Sequence, residues 1–286
     1  MHLRFLAVLV HLCTVVGCGV LATTTELAPP PSVLPTASRL DLIETVQRIA
    51  KVESMKASVD ITLTVRTADS TREVRSRDVR GVLLTRRPGW IRTNAEAPGG
   101  IAMVYDMVSD GEQFRVFIPL RNRVYEGRNE LTDISEERIE NLRPQHILDA
   151  IMIDPIEKPD EVILDREMYG SSGYQILIQT EDGEDGVPRI TRKYWFSRSD
   201  LELARLIIFD DRTEIVTDAW YRDWGEDKGL PYPQSIEIER PLDGYIIELA
   251  ILKPGLNEDI PDASFELSLP DGVEVETLGK RSPGTS

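Results

Sequence analysis

Apolar and polar residues follow one another in four regimes along the chain. Phe5 to Val16 is an unbroken apolar run of twelve, too short to span a bilayer. Residues 20–36 have no periodicity and carry Thr23-Thr24-Thr25, Pro29-Pro30-Pro31 and Pro35, a composition that stays extended rather than packing. Ser38-Arg39-Leu40-Asp41 then reads as a capping box. Behind it Leu42, Ile43, Val46, Ile49, Ala50 and Met55 recur at helical spacing, which predicts an amphipathic helix over 40–56. From there the period drops to two. Val59, Ile61, Leu63 and Val65 alternate with Asp60, Thr62, Thr64 and Arg66, as in a strand with one apolar and one wet face. Weaker alternation recurs at 79–86, 101–109, 112–118, 174–180, 190–197, 203–209, 234–240 and 244–252. Turn signals such as Pro98-Gly99-Gly100, Asp110-Gly111 and Asp243-Gly244 separate these runs.

Short turns between successive strands predict an antiparallel meander rather than βαβ units. Helical character returns only at Ile134–Leu142 and in a short helix opened by Pro144 and running through Ile147, Leu148 and Ile151. About ten strands therefore share one apolar face, with roughly two helices to cover it. A twisted sheet of that width curls. Helices laid in its hollow need not fill it, and space left among Val, Ile and Leu would be dry and able to accept acyl chains.

The N-terminus adds specific chemistry. Met1-His2-Leu3-Arg4 is a basic lead into the apolar run, which ends in Val15-Val16-Gly17-Cys18. This resembles a bacterial lipobox, in which a small residue precedes the cysteine that is lipidated. Residues 1–17 read as a signal peptide and 18–37 as a lipidated Cys18 with its tether. With its new amine acylated as well, Cys18 would carry three chains, more than the two signals stable anchoring needs, each buried methylene contributing about 0.8 kcal/mol. Gly19 after the cysteine is not the aspartate of inner-membrane retention, so attachment to the outer membrane, facing the periplasm, is expected. Beyond residue 17 the chain holds one cysteine, Cys18, and one histidine, His146. An intrachain disulfide and His/Cys zinc sites are excluded. A nucleophile–histidine device would rest on His146 alone, which reads as a packed or rim histidine. The net charge of −16 repels nucleic acid, and no nucleic-acid partner is expected. Glu181-Asp182-Gly183-Glu184-Asp185-Gly186 lacks calcium-loop spacing and reads as a solvated hairpin. Trp220, Tyr221 and Trp224 read as packing near a strand end. No enzyme activity, cofactor or metal is expected.

Three stretches, in order, bring a family into view. They are Gly81-Val-Leu-Leu-Thr-Arg86-Arg87-Pro88-Gly-Trp90-Ile-Arg92; Val108-Ser109-Asp110-Gly111 followed by Phe114 and Pro119; and Ile260 to Val275 with Phe265, Pro270 and Gly272. In these the chain resembles the LolA/LolB family, the periplasmic lipoprotein carrier and its outer-membrane receptor. The resemblance implies a mainly β (α+β) domain over 38–278. A strongly curved antiparallel sheet would form an unclosed half-barrel, with an N-terminal helix and a short central helix over its apolar concave face. Residues 279–286 would be a tail. It also implies that Arg87, at the family's Arg-Pro position, hydrogen-bonds the lid and gates the empty cavity; its planar fork suits that role. On that role Arg87→Leu would stay folded and retain ligand longer. Val59, Ile61, Leu63, Val65 and Leu83 of the strands, with Ile43, Val46 and Ile49 of the helix, are the expected cavity lining. Where the receptor has an exposed hydrophobic loop, this chain has Asn94-Ala-Glu-Ala-Pro-Gly-Gly100, so that device is not carried over. Two functions follow: a lipid-anchored protein binding acyl chains of lipoproteins or other amphiphiles, or an interaction lipoprotein using the half-barrel to dock other envelope proteins.

Overall fold

The structure, a computed structural model, describes residues 35–279 other than 67–71, 77, 101, 131–140 and 184. The chain divides into two units, Met1–Val33 and Leu34–Ser286, and the described residues all belong to the second. The signal peptide, Cys18, the tether through residue 34, residues 134–140 of the expected central helical stretch and the tail from 280 lie outside the described residues. Among the described residues no helix is long and apolar enough to cross a membrane.

Helix α1 (Arg39–Ile49) leads into β1 (Ser54–Arg66), β2 (Glu73–Arg75), β3 (Val79–Arg86), β4 (Trp90–Glu96), β5 (Met103–Ser109), β6 (Gln113–Ile118) and β7 (Arg123–Arg128). After α2 (Pro144–Ile151) come β8 (Val162–Tyr169), β9 (Ser172–Asp182), β10 (Pro188–Ser197), β11 (Leu203–Phe209), β12 (Ile215–Asp227), β13 (Leu230–Arg240), β14 (Tyr245–Leu256) and β15 (Glu274–Thr277). They form one curved, unclosed sheet in the order β15-β7-β6-β5-β4-β3-β1-β14-β13-β12-β11-β10-β9-β8, with β2 prolonging the β3 side of β1. Every pairing is antiparallel except β15 on β7. The chain's late strand β14 lies beside its first, from Met55↔Leu256 to Val65↔Tyr245, so the middle of the sheet is closed by contacts nearly 200 residues apart. Gly81, which opens the first family-like stretch, permits β3 and β4 to meet: a Cβ there would lie 1.9 Å from the Asn94 carbonyl oxygen.

Both helices lie in the hollow. The capping box forms as read, Ser38 Oγ accepting from the Asp41 amide and the Asp41 carboxylate from the Ser38 amide. Those bonds hold the Asp41 carboxyl below its usual range. At eleven residues α1 is shorter than the roughly 12–15 that an isolated helix needs. Burial of Leu42, Ile43, Val46 and Ile49, each worth up to about 1.5–3 kcal/mol, holds it in place. The predicted end at residue 56 is corrected to Ile49. The Asn257 side chain accepts from the Glu53 amide and donates to the Lys51 carbonyl, turning the chain into β1, where Met55 is buried as a strand residue. α2 follows the reading from Pro144, while Asn141 and Leu142 before it are not α-helical. The sheet's other face is wet and carries ion pairs such as Asp60–Arg80, Arg75–Glu248 and Arg92–Asp106.

Six strands, β2, β4, β7, β8, β12 and β15, lie outside the predicted set. β4 turns Ile91, Thr93 and Ala95 inward, one apolar, one polar and one small, so the two-residue period is faint. Thr93 is nonetheless buried, its hydroxyl 3.4 Å from Tyr105 Oη. Trp220, Tyr221 and Trp224 belong to the interior of β12 rather than a strand end.

Candidate functional site

The concave face is filled unevenly. α1 packs on β9 and β13 and α2 on β4, β5 and β12. Toward one end of the sheet an apolar cavity of about 280 Å³ remains. Its wall comes from Ile61 and Leu63 on β1, Val79 on β3, Val104, Tyr105 and Met107 on β5, Val116 and Ile118 on β6, and Ile247 on β14. Leu142 and Ile147 of the α2 region roof it, and Ser76 and Arg121 supply polar groups. This volume is near the lower end of small-molecule sites, about 300–1,000 Å³. Burial pushes the Tyr105 phenol upward, so it stays neutral. Arg121 Nη1 donates to Tyr125 Oη at 2.9 Å, placing a guanidinium beside the greasy wall.

All of these strand positions lie at the end of the sheet where β1 finishes, β3 and β5 begin, and β6 turns into β7. Exposed apolar residues collect at the same strand ends: Val74, Met103, Val104 and above all Leu120, which is 97 % exposed on the turn after β6. The cavity wall and these exposed apolar residues therefore share one end of the sheet.

Of the expected lining residues, Ile61 and Leu63 face the cavity. The structure places the others elsewhere. Val59, Leu83, Ile43, Val46 and Ile49 are at most 5 % exposed and belong to the packed core rather than the cavity wall. Val65 is half-buried against that core, beyond the wall. Met107, Val116, Ile118, Ile147 and Ile247 are wall residues the expected lining omitted. Strand parity marks their inward faces; which end of the sheet stays empty is set by the placement of the helices.

Arg87 bonds the segment that carries α2. Its Nη2 donates to the Ile153 carbonyl at 2.8 Å, its Nη1 to Asp154 Oδ1 at 2.8 Å, and its Nε to the Val52 carbonyl at 3.2 Å. It follows the last residue of β3, whereas Val79 of the cavity wall is the first. Eight residues at about 3.3 Å each put Val79 roughly 26 Å along the strand from Arg87, while Met107, level with Leu83 through Thr93, is about 13 Å along. Arg87 thus bonds the chain just after α2 and the turn after α1, at the opposite end of β3 from Val79.

His146 on α2 stands in a polar cluster with the β13–β14 hairpin. Its Nδ1 is 2.5 Å from Tyr245 Oη and its Nε2 is 3.0 Å from Arg240 Nη2. Arginine only donates, so Nε2 accepts and Nδ1–H donates to Tyr245. Arg240 also donates to Thr217 Oγ1 and Asp243 Oδ2, both at 2.7 Å. Burial, then the charges of Arg240 and Arg143, hold His146 well below the usual histidine range. Asp243, 3.9 Å away, opposes them without prevailing. The folded state thus binds one proton fewer than the unfolded state once pH falls through about 6.5, the unfolded value. Stability from this site is full above that pH and is lost as pH falls toward the depressed folded value. Urea titrations should show a stability slope below pH 6.5 that is shallower in His146→Asn, by up to about 1.4 kcal/mol per pH unit. Equal slopes would mean that His146 titrates normally. With both ring nitrogens engaged, this histidine is not placed as a general base. Among the described residues no group of three or more His, Cys, Asp or Glu side chains could hold a metal.

No family model matches the chain, and no curated protein matches it. Solved structures do. A LolA superfamily protein from Nitrosomonas europaea is 14 % identical over 81 % of this chain and 99 % of its own, with a TM-score of 0.46. A DUF1329 family protein from Desulfovibrio piger is 12 % identical over 80 % and 95 %, with a TM-score of 0.48. A domain assigned to outer-membrane lipoprotein sorting, from Vibrio parahaemolyticus, is 10 % identical over 80 % and 97 %, with a TM-score of 0.45. Nothing about this chain's chemistry follows from likenesses of this size.

Proposed function

We propose that the domain binds the acyl chains of lipoproteins or other amphiphiles in the cavity beneath α2. On this reading Cys18 anchors it by lipid to the outer membrane, facing the periplasm. The observation that carries the reading is an unfilled, nearly all-apolar space at the end of the sheet where exposed apolar residues collect. Binding has no covalent step. About eight methylenes entering the cavity would contribute roughly 6 kcal/mol, at about 0.8 kcal/mol each. That corresponds to a Kd in the tens of micromolar.

Among the described residues every core residue lies between Ala37 and Leu278, and the chain from residue 35 onward, one compact unit, contains no cysteine. Titrating residues 35–286 with the neutral rod diphenylhexatriene should give saturable binding of one molecule, displaced by palmitate. Failure to saturate would overturn the proposal. It would favour the second reading, in which Leu120 and its neighbours dock an envelope protein.

A further inference from the structure

We propose that the outer edge of β8 takes up an extended segment of a partner protein as a further antiparallel strand. That segment carries basic residues opposite Asp165 and Glu167. The inference is independent of the acyl-binding reading, since the cavity is walled by β1, β3, β5, β6 and β14, and β8 is an edge of the sheet.

The two edges of the sheet differ. β15 is four residues long, and Arg123 pairs with both of its carboxylates, Glu274 and Glu276. β8 is eight residues long, and among the described residues no strand pairs with its outer side. A two-residue turn with Gly170 at a φ of +61° joins β8 to β9, making Tyr169↔Ser172 the first hydrogen-bonded pair. Counting back from it, alternation turns the backbone N–H and C=O of Leu164, Arg166 and Met168 away from β9. Two bonds agree with that phase. The Val162 carbonyl accepts from Arg39 Nη1 of α1 at 3.1 Å, and the Arg166 amide donates to Asp165 Oδ1 at 2.8 Å.

Side chains along this edge suit a strand partner. Ile163, Met168 and Tyr169 are 57 %, 60 % and 57 % exposed. Ring contacts to Trp195 and Trp220 hold Tyr169, which offers an incoming apolar side chain a fixed surface. Leu164 packs on the core, so Asp165 and Glu167, of opposite parity, stand on the convex side. Both are exposed, and among the described residues neither is in an ion pair.

These charges select the occupant. Pairing β8 with its own copy, faces matched, centres on a single residue. Centred on Arg166, it sets arginine against arginine and Asp165 against Glu167; centred on either acid, it sets like carboxylates together. A complementary strand places lysine or arginine opposite both carboxylates and an acid opposite Arg166. Its carbonyl replaces the Asp165 carboxylate at the Arg166 amide, and the displaced carboxylate pairs with the incoming cation. The net charge of −16 favours the approach of a basic segment.

The probe is the capped heptapeptide Ile-Leu-Lys-Glu-Lys-Thr-Val, whose antiparallel register sets lysines opposite Glu167 and Asp165. Ile-Leu-Glu-Lys-Glu-Thr-Val is its charge-reversed control. By fluorescence anisotropy, residues 35–286 should bind the first about tenfold more tightly. Asp165→Lys combined with Glu167→Lys should invert that preference. Arg166→Pro removes an outward amide and no bond to β9, so it should weaken binding about tenfold with thermal unfolding unchanged. Arg166→Ala should cost only about threefold. Should the proline lower stability, the preference of the double variant decides. Equal binding of the two peptides, binding of neither, or a double variant with the wild-type preference would overturn the proposal. So would dimerisation of the protein alone that Arg166→Pro abolishes, which would make this edge a contact between copies.

Discussion

Leu63→Arg and Leu63→Glu should each weaken binding of diphenylhexatriene to residues 35–286 about a hundredfold, or roughly 2.7 kcal/mol. Leu63 is half-buried on the cavity wall, opposite Ile247 of β14 and two residues from Ile61. A charged head there keeps a route to solvent, so the fold bears it. An apolar molecule entering the cavity would strip water from that head with no partner in return, and burying an unpaired charge costs several kcal/mol. Both signs of charge must act alike on an uncharged ligand. If only one weakened binding, the wall's apolar character would not be the determinant. If neither did, the molecule would bind elsewhere. Leu83→Arg, a natural companion from strand parity, tests something else: Leu83 is 1 % exposed in solid core, and an arginine there disrupts folding before it reports on a ligand.

The contrast between Leu63 and Leu83 marks how far the sequence could be followed. Inward and outward positions of β1 are legible because Val59, Ile61 and Leu63 alternate with Asp60, Thr62 and Thr64, and the wet face needs those polar groups. α1 is legible because its cap and its apolar stripe are local. β12 is hidden because Thr217, Ala219 and Tyr221 point inward while Trp220 points out, so polarity does not report the face. Which inward residue meets a helix and which meets a void is decided by elements far along the chain. Val59 and Ile61 look equivalent in sequence, yet one sits in core and the other on a cavity wall. Arg87 shows the same limit. That it would bond the lid could be inferred from its Arg-Pro context, but not which end of the lid. That depends on where α2, more than fifty residues later, lays down its C-terminus.

Position along the lid reverses what Arg87→Leu should do. At a gate over the mouth, removing the guanidinium would leave a stable protein that retains its ligand longer. With its bonds at the C-terminal end of α2, its removal should lower the unfolding free energy by about 2–4 kcal/mol and speed ligand release. The ion pair with Asp154 contributes little, since that carboxylate is half exposed. The weight lies on the Ile153 and Val52 carbonyls, which lose donors at a site where the arginine side chain is only 18 % exposed; each unsatisfied buried group costs about 1–3 kcal/mol. Arg87→Lys should fall between, because one ammonium cannot span Val52, Ile153 and Asp154 together. In urea the midpoint should drop with an unchanged slope for a cooperative loss, and diphenylhexatriene should wash out faster because the roof has lost its fixed end. Unchanged stability with slower release would make Arg87 a gate rather than a structural clamp.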